Sequence, residues 1–118
     1  NGEFLPSESF DYLPIWINFF ENPALVQFNH RILGYILMLL GITAWIKSRT
    51  IAHRKLRIGF KAILIMMIIQ MVLGILTVMY AAPWYIAIFH QIGAIFLLVL
   101  ILQTKFIANF PQEQSVRS

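Results

Sequence analysis

Three long apolar runs take up most of this 118-residue chain, and they constrain its fold more than any other feature. Hydrophobic residues make up 59% of the sequence and charged residues only 12%, whereas a soluble globular domain carries about 25% charged residues. The apolar residues fall in continuous blocks, which is typical of segments that cross a bilayer. We therefore expect an all-α integral membrane protein, a small helical bundle in membrane lipid, with no nucleic-acid partner despite a net charge of +4.

Polar and charged residues mark where the spanning helices begin and end. Residues 1–22 carry four acids and no Lys or Arg, and we expect them to form an extramembrane loop. Asn22 is a good N-cap and Pro23 is favoured in the first helical turn, so the first span should begin there. Residues 111–118 are polar and should form a disordered tail. The transmembrane bundle, residues 23–110, then contains three predicted spans: about 23–46, 58–81 and 83–107.

A basic loop predicts the orientation of these spans. Five of the nine Lys and Arg residues fall between the first two spans, in residues 47–57. Short basic loops stay on the side of the membrane that is not translocated. The acidic segment should therefore face the opposite side, and the first and third spans should run parallel.

Two histidines, His30 and His90, lie inside predicted spans, where ionisable side chains are costly and usually functional. Each stands about seven residues after the proline that starts its helix, roughly 10 Å below the outer end. Matched depth on parallel helices favours two imidazoles that bind one haem iron from opposite sides. We therefore predict that both are metal ligands, with a structural or pH-sensing role as the alternative. His53 lies in the basic loop and is predicted to be a solvated residue.

Small and polar residues accompany both histidines. Gly34 and Gly93 follow them at helical spacing, where a porphyrin edge needs room, although glycines also serve the ordinary packing of membrane helices. Arg31 is placed to pair with an anionic haem propionate; lipid headgroups and Glu21 are the alternative partners. Gln91 is a candidate for a hydrogen bond to a propionate or an imidazole.

The second span has no histidine, but it has a stripe of small or polar residues: Gly59, Gln70, Gly74, Thr77 and Ala81. Gln70, near the middle of the membrane, should form a hydrogen bond between helices. No catalytic residue is predicted in the spans, and the lack of cysteine excludes disulfides, thiolate ligation and iron–sulfur clusters. Two axial imidazoles leave iron no open position, so the residues alone predict a membrane b-type cytochrome module that transfers electrons.

The chain resembles the haem A synthase family in two places. The first is Phe20-Glu21-Asn22-Pro23 followed by residues 26–34, Val-Gln-Phe-Asn-His-Arg-Ile-Leu-Gly. The second is His90-Gln91 with Gly93 in the last span. Asn29 stands where relatives often have Asp, which would weaken a carboxylate–imidazole contact there.

The resemblance implies eight spanning helices in two four-helix halves, in the bacterial cytoplasmic membrane or the mitochondrial inner membrane. This chain, which begins without Met, would be the last three helices, an incomplete four-helix bundle in which His30 and His90 hold haem b. The N-terminal half of the same protein would hold the substrate, haem O, and oxidise its methyl group to the formyl group of haem A for cytochrome oxidase assembly. The chain alone would then be inactive. Further expected partners are haem O synthase and oxidase assembly factors.

A stand-alone bis-histidine cytochrome b subunit is the alternative function, because it needs the same two ligands and no other half. A membrane protein without a redox centre is the third possibility. These alternatives share the all-α fold and differ in whether haem is bound and whether haem O is converted.

Overall fold

The computed structural model describes residues 4–110, and these are helical with no strand among them. Two short 3₁₀ turns, Ser7–Phe10 and Ile15–Ile17, precede a one-turn helix α1, Asn18–Glu21. Three long helices follow: α2 (Pro23–Ser48), α3 (Arg54–Met79) and α4 (Trp84–Asn109). The all-α fold predicted from the apolar runs is confirmed. The predicted tail, residues 111–118, lies outside the described residues.

Three of these helices are long and apolar enough to cross a membrane. Each of α2, α3 and α4 contains 26 residues, which corresponds to about 39 Å at 1.5 Å per residue. All three qualify as spans by length and composition. Many of their large apolar side chains are exposed, which suits surfaces that contact lipid.

The helix bounds differ from the predicted spans by a few residues. α2 extends to Ser48, α3 runs from Arg54 to Met79, and α4 runs from Trp84 to Asn109. The largest difference is the start of α3, which was expected near residue 58. The predicted start was the first residue of the apolar run, whereas the helical hydrogen bonding already begins in the charged residues before that run.

The chain divides into two compact units, and the boundary falls inside α2, between Leu37 and Met38. In the first unit, the fully buried Asn18 holds the outer segment together. Its side chain accepts a hydrogen bond from the Tyr12 N–H at 2.9 Å and donates to the carbonyls of Tyr12 and Ile15 at 2.7 and 2.9 Å. One asparagine thus satisfies three backbone groups of a segment with little regular structure.

Asn22 connects this outer segment to the start of α2. Its side-chain oxygen accepts from the N–H groups of Ala24 and Leu25 at 3.0 and 3.4 Å, which confirms the predicted N-cap. Its side-chain nitrogen donates to the Glu8 carbonyl at 2.6 Å and to Asn18 Oδ1 at 3.1 Å. The same residue therefore caps the helix and fixes the segment that precedes it.

In the second unit, α3 and α4 form a close antiparallel pair. A Cβ at Gly59 of α3 would lie 2.6 Å from Thr104 Oγ1, and a Cβ at Gly93 of α4 would fall on the side-chain nitrogen of Gln70. At both positions a side chain of the neighbouring helix lies where a Cβ would stand, so the two helices approach closely there. The end of α2 in this unit also approaches α3, since a Cβ at Gly41 would lie 2.6 Å from the sulfur of a methionine, Met67.

The turn between α3 and α4 is a Schellman motif. The Ala82 N–H donates to the Thr77 carbonyl at 2.7 Å, and the Ala81 N–H donates to the Val78 carbonyl at 3.3 Å. Ala81 and Ala82 have φ values of 56° and 54°, in the left-handed region that favours glycine. Pro83 then precedes α4, and this four-residue link sets the register of the two helices.

Candidate haem site

α4 places the imidazole of His90 against α3. A Cβ at Gly74 would lie 3.3 Å from His90 Cε1 and 3.7 Å from His90 Nε2, so the ring lies over a glycine of the neighbouring helix. His90 is half-buried. The absence of a side chain at Gly74 gives the imidazole room to pack against the backbone of α3.

One turn further along α4, Gly93 packs on Gln70 of α3. Gln70 is only 7% exposed, and its side-chain nitrogen and oxygen have no hydrogen-bond partner in the part of the chain that the structure describes. The predicted hydrogen bond between helices is therefore not made within residues 4–110. The amide instead fills the space that Gly93 leaves, close to the histidine of the same interface.

The residues predicted around the first ligand lie on the first part of α2. His30, Arg31 and Gly34 are exposed in the first unit, and within that unit nothing lies within 4 Å of a Cβ built at Gly34. Room beside His30 is thus present in its own unit. The pairing of His30 with His90 across one iron stays a prediction.

The structure brings together some of the predicted residues of α4. His90 and Gly93 both contact α3, through Gly74 and Gln70 respectively. Gln91 is exposed, so it does not share the interior position of Gly93. Its predicted hydrogen bond to a propionate or an imidazole is untested.

Two contributions were missed by sequence reasoning. Gly74 was noted as part of the stripe in the second span, but its contact with His90 was not anticipated. His53 was interpreted as a solvated residue, yet its Nδ1 accepts the N–H of Leu56 at 3.4 Å and caps α3. The available signal was the position of His53 immediately before a basic helical turn. That signal is weak, because histidine is an uncommon N-cap compared with Asn, Asp, Ser and Thr.

The donor set fits a haem iron better than a metal held by protein alone. Among the described residues, no group of three or more His, Cys, Asp or Glu side chains is placed to hold an ion. A haem takes the equatorial ligands of its iron from the porphyrin and needs only axial ligands from the protein. Each of the two predicted ligands, His30 in the first unit and His90 in the second, carries an imidazole donor; a Cβ at Gly34 would meet nothing within 4 Å, whereas the space at Gly93 is filled by Gln70.

Comparison with known proteins agrees with the resemblance noted in the sequence. The profile of the COX15-CtaA family, described as cytochrome oxidase assembly protein, matches residues 1–102. The heme A synthase of Ruegeria pomeroyi is 47% identical over 116 residues, which is 98% of this chain and 30% of that protein. The heme A synthases of Roseobacter denitrificans and Dinoroseobacter shibae are 47% and 48% identical over the same share of the chain and of their own length.

No solved structure matches the chain. The chain spans about 30% of the length of the curated relatives named above. Three apolar helices and this family together make it a multi-pass membrane protein. The family profile matches residues 1–102, and relatives are 47% identical to the chain. The chain therefore belongs to the COX15-CtaA family of cytochrome oxidase assembly proteins.

Proposed function

We propose that this chain is the C-terminal, haem b-binding part of a haem A synthase and that it serves electron transfer. Membership of the family supports a role in making haem A for oxidase assembly. The observation that carries the finer assignment is the position of His90, which lies over Gly74 in the interior of the α3–α4 pair. An ionisable ring held inside a membrane interface, beside a position kept free of side chain, is suited to ligate a metal.

In this proposal His30 and His90 would hold the haem iron through their imidazole nitrogens. A haem with two axial imidazoles supplies one-electron transfer without an open coordination position. Gly34 leaves room beside His30, and Gly74 leaves room for the His90 ring against α3, whereas the space at Gly93 is filled by the Gln70 amide. Arg31, exposed on α2 next to His30, offers a guanidinium to a propionate in a charge-assisted hydrogen bond.

The oxidation of haem O is proposed for the whole protein and not for residues 23–110. The curated relatives extend well beyond the part that this chain matches, and we place the substrate in the remaining, N-terminal half. Haem O synthase and oxidase assembly factors are the proposed partners of that whole protein. The relatives named above are bacterial, which favours the bacterial cytoplasmic membrane over the mitochondrial inner membrane.

Visible spectra of the purified protein test the ligand assignment. Reduced-minus-oxidised spectra should show the bands of a low-spin b-type haem. His30→Ala and His90→Ala should each abolish the low-spin character, because the iron would lose one of two imidazoles. His53→Asn is the matched control: it also removes a histidine, but it keeps a capping side chain at the start of α3 and should retain the spectrum.

An unchanged spectrum in His30→Ala or in His90→Ala would remove that residue from the ligand set. Absence of haem bands in the unaltered protein would exclude a redox centre in this chain. The assignment of the oxidation step needs a separate measurement, in which haem O is added and haem A is quantified by chromatography. The chain alone should form none, whereas the full-length protein should; haem A formation by the chain alone would place the chemistry within it.

A further inference from the structure

We propose that the outer segment, residues 4–21, binds the lipid–water interface of the membrane through an exposed apolar surface. This outer apolar surface consists of large side chains that the segment leaves uncovered: Leu13, Ile15, Trp16, Phe19 and Phe20. None of them belongs to the proposed haem site. The lipid contact is therefore separable from haem binding, and either can fail without the other.

The outer segment has polar side chains inside and apolar side chains outside. Ser9 and Asn18 are fully buried, and Asn22, which follows the segment, is nearly so. In contrast, Leu13 is 82% exposed and Trp16 is 64% exposed. A segment folded for water usually has the reverse distribution. The observed distribution suits surroundings in which apolar side chains contact lipid.

The buried amides make the backbone of the segment less dependent on water. Asn18 bonds to backbone groups of Tyr12 and Ile15, and Asn22 donates to the carbonyl of Glu8. Backbone polar groups close to hydrocarbon must find partners within the protein, because water is scarce there. The two asparagines supply such partners to a segment that has little helical hydrogen bonding of its own.

The segment lies beside the first turns of α2. With 26 residues, α2 is about 39 Å long and exceeds the hydrocarbon core of about 30 Å, so its ends reach the headgroup layers. The ring of Phe4 contacts Phe28 of α2 edge to face, with 5.4 Å between the centroids. Phe28 lies about 8 Å along the helix from its start. The segment thus folds back along α2, toward the bilayer, instead of extending into water.

The residue types of the segment match the interface. Tryptophan is enriched where membrane and water meet, and other large apolar side chains insert at the same depth. Residues 1–30 contain no Lys or Arg, so apolar contact and not attraction to anionic headgroups would hold the segment there. The acidic Glu8 and Asp11 are exposed and line a shallow cavity at the start of α2, which leaves them in contact with water.

Photocrosslinking in the full-length protein, in its native membrane, identifies what covers the outer apolar surface. The photoreactive residue benzoylphenylalanine inserts into nearby C–H bonds and replaces Trp16 in one variant and Leu13 in another. Mass spectrometry of the irradiated protein should find phospholipid adducts at both positions. Asp11 is the matched control position, because it is exposed in the same segment but lines the polar cavity. The same replacement there should give a lower yield of lipid adduct.

Tryptophan fluorescence gives an independent measure of depth. Trp45→Phe combined with Trp84→Phe leaves Trp16 as the only tryptophan of the chain. In vesicles, Trp16 should be quenched more by phosphatidylcholine brominated near the headgroup than by lipid brominated near the chain end. Iodide in the aqueous phase should quench it only weakly.

Three results would overturn the proposal. Protein adducts in place of lipid adducts at positions 13 and 16 would show that another part of the protein, or a partner protein, covers this surface. Equal lipid yields at positions 11, 13 and 16 would show that the segment has no lipid-facing side. Strong iodide quenching of Trp16, with none by brominated lipid, would show that the surface faces water, as would a lack of adducts at both positions.

Discussion

The imidazole of His90 lies directly over Gly74, with its Cε1 3.3 Å from the point where a Cβ would stand. The helices α3 and α4, which are joined by a four-residue link, therefore contact each other through a histidine and a glycine. The contact constrains both residues, because a side chain at position 74 would occupy the space of the ring. It also connects the packing of α3 and α4 to the proposed haem ligand.

Enlarging Gly74 should displace the His90 ring. Gly74→Leu would force the imidazole away from α3, and overpacking of this kind costs roughly 1–3 kcal/mol. We expect a lower melting temperature and, in the haem-loaded protein, a smaller low-spin fraction in the visible spectrum. Val78→Leu, at an exposed position one turn further along α3, is the control. Equal melting temperatures and spectra in both variants would mean that the ring does not depend on Gly74.

Gly93→Ala should destabilise the α3–α4 pair through Gln70. The added Cβ would fall on the side-chain nitrogen of the buried Gln70 and would lie 3.1 Å from the terminal methyl of Met66. We expect a loss of about 1–3 kcal/mol, measured by thermal or denaturant unfolding in detergent. Gln70→Ala, which removes the obstructing amide, should recover part of this loss in the double variant. Strictly additive effects of the two substitutions would contradict the contact.

Asn22 should be needed both for the start of α2 and for the outer segment. Asn22→Ala removes the cap of Ala24 and Leu25 and the bond to the Glu8 carbonyl, and loss of a cap costs about 1 kcal/mol. Asn22→Ser retains a capping oxygen but loses the amide that donates to the outer segment. Hydrogen exchange at the amides of residues 24 and 25 should therefore accelerate in Asn22→Ala and much less in Asn22→Ser.

Proteolysis separates the second role of Asn22 from the first. Cleavage within residues 7–17 should become faster in both variants, because each loses the bond to the Glu8 carbonyl. If Asn22→Ser resisted protease as well as the unaltered protein does, the outer segment would be held by Asn18 and its backbone partners alone.

Ala81→Gly should stabilise the protein. Ala81 has a φ of 56°, and the left-handed conformation costs a residue with a Cβ about 1 kcal/mol that glycine avoids. The melting temperature should rise in this variant. Ala94→Gly, an exposed position inside α4, is the opposite control and should lower stability by roughly 0.5–1 kcal/mol. A lower melting temperature in both variants would mean that glycine at position 81 does not stabilise the turn.

The spans and the N-cap of α2 could be predicted from sequence because their signals are local. Apolar length predicts a membrane helix, and Asn22-Pro23 matches the preference for a cap followed by proline. The start of α3 was placed too late because hydropathy reports where a helix enters lipid and does not report where its hydrogen bonds begin. Residue preferences did not predict the Schellman turn, because Ala81 occupies a position that is usually glycine.

The candidate site shows a similar division. His90 and Gly93 could be proposed as site residues from their type and spacing, and that role stays a prediction, whereas their contacts with Gly74 and Gln70 depend on the register of two helices. That register is a tertiary property, and four residues of linker determine it. The expectation that Gln70 would bond across the helices failed within the described residues because its neighbour on α4 is a glycine, which offers no side-chain partner.

The link from Tyr80 to Pro83 has an implication for how sequence length can vary in this protein. Each residue of an α-helix advances the chain by about 100° around the axis. One additional alanine just inside the start of α4, with the turn preserved, would swing the imidazole about a quarter-turn away from the facing helix. Deletions and insertions at this link should thus disturb the α3–α4 contact far more than changes of similar size in the basic loop. The four-residue link is too short to restore the original rotation of α4.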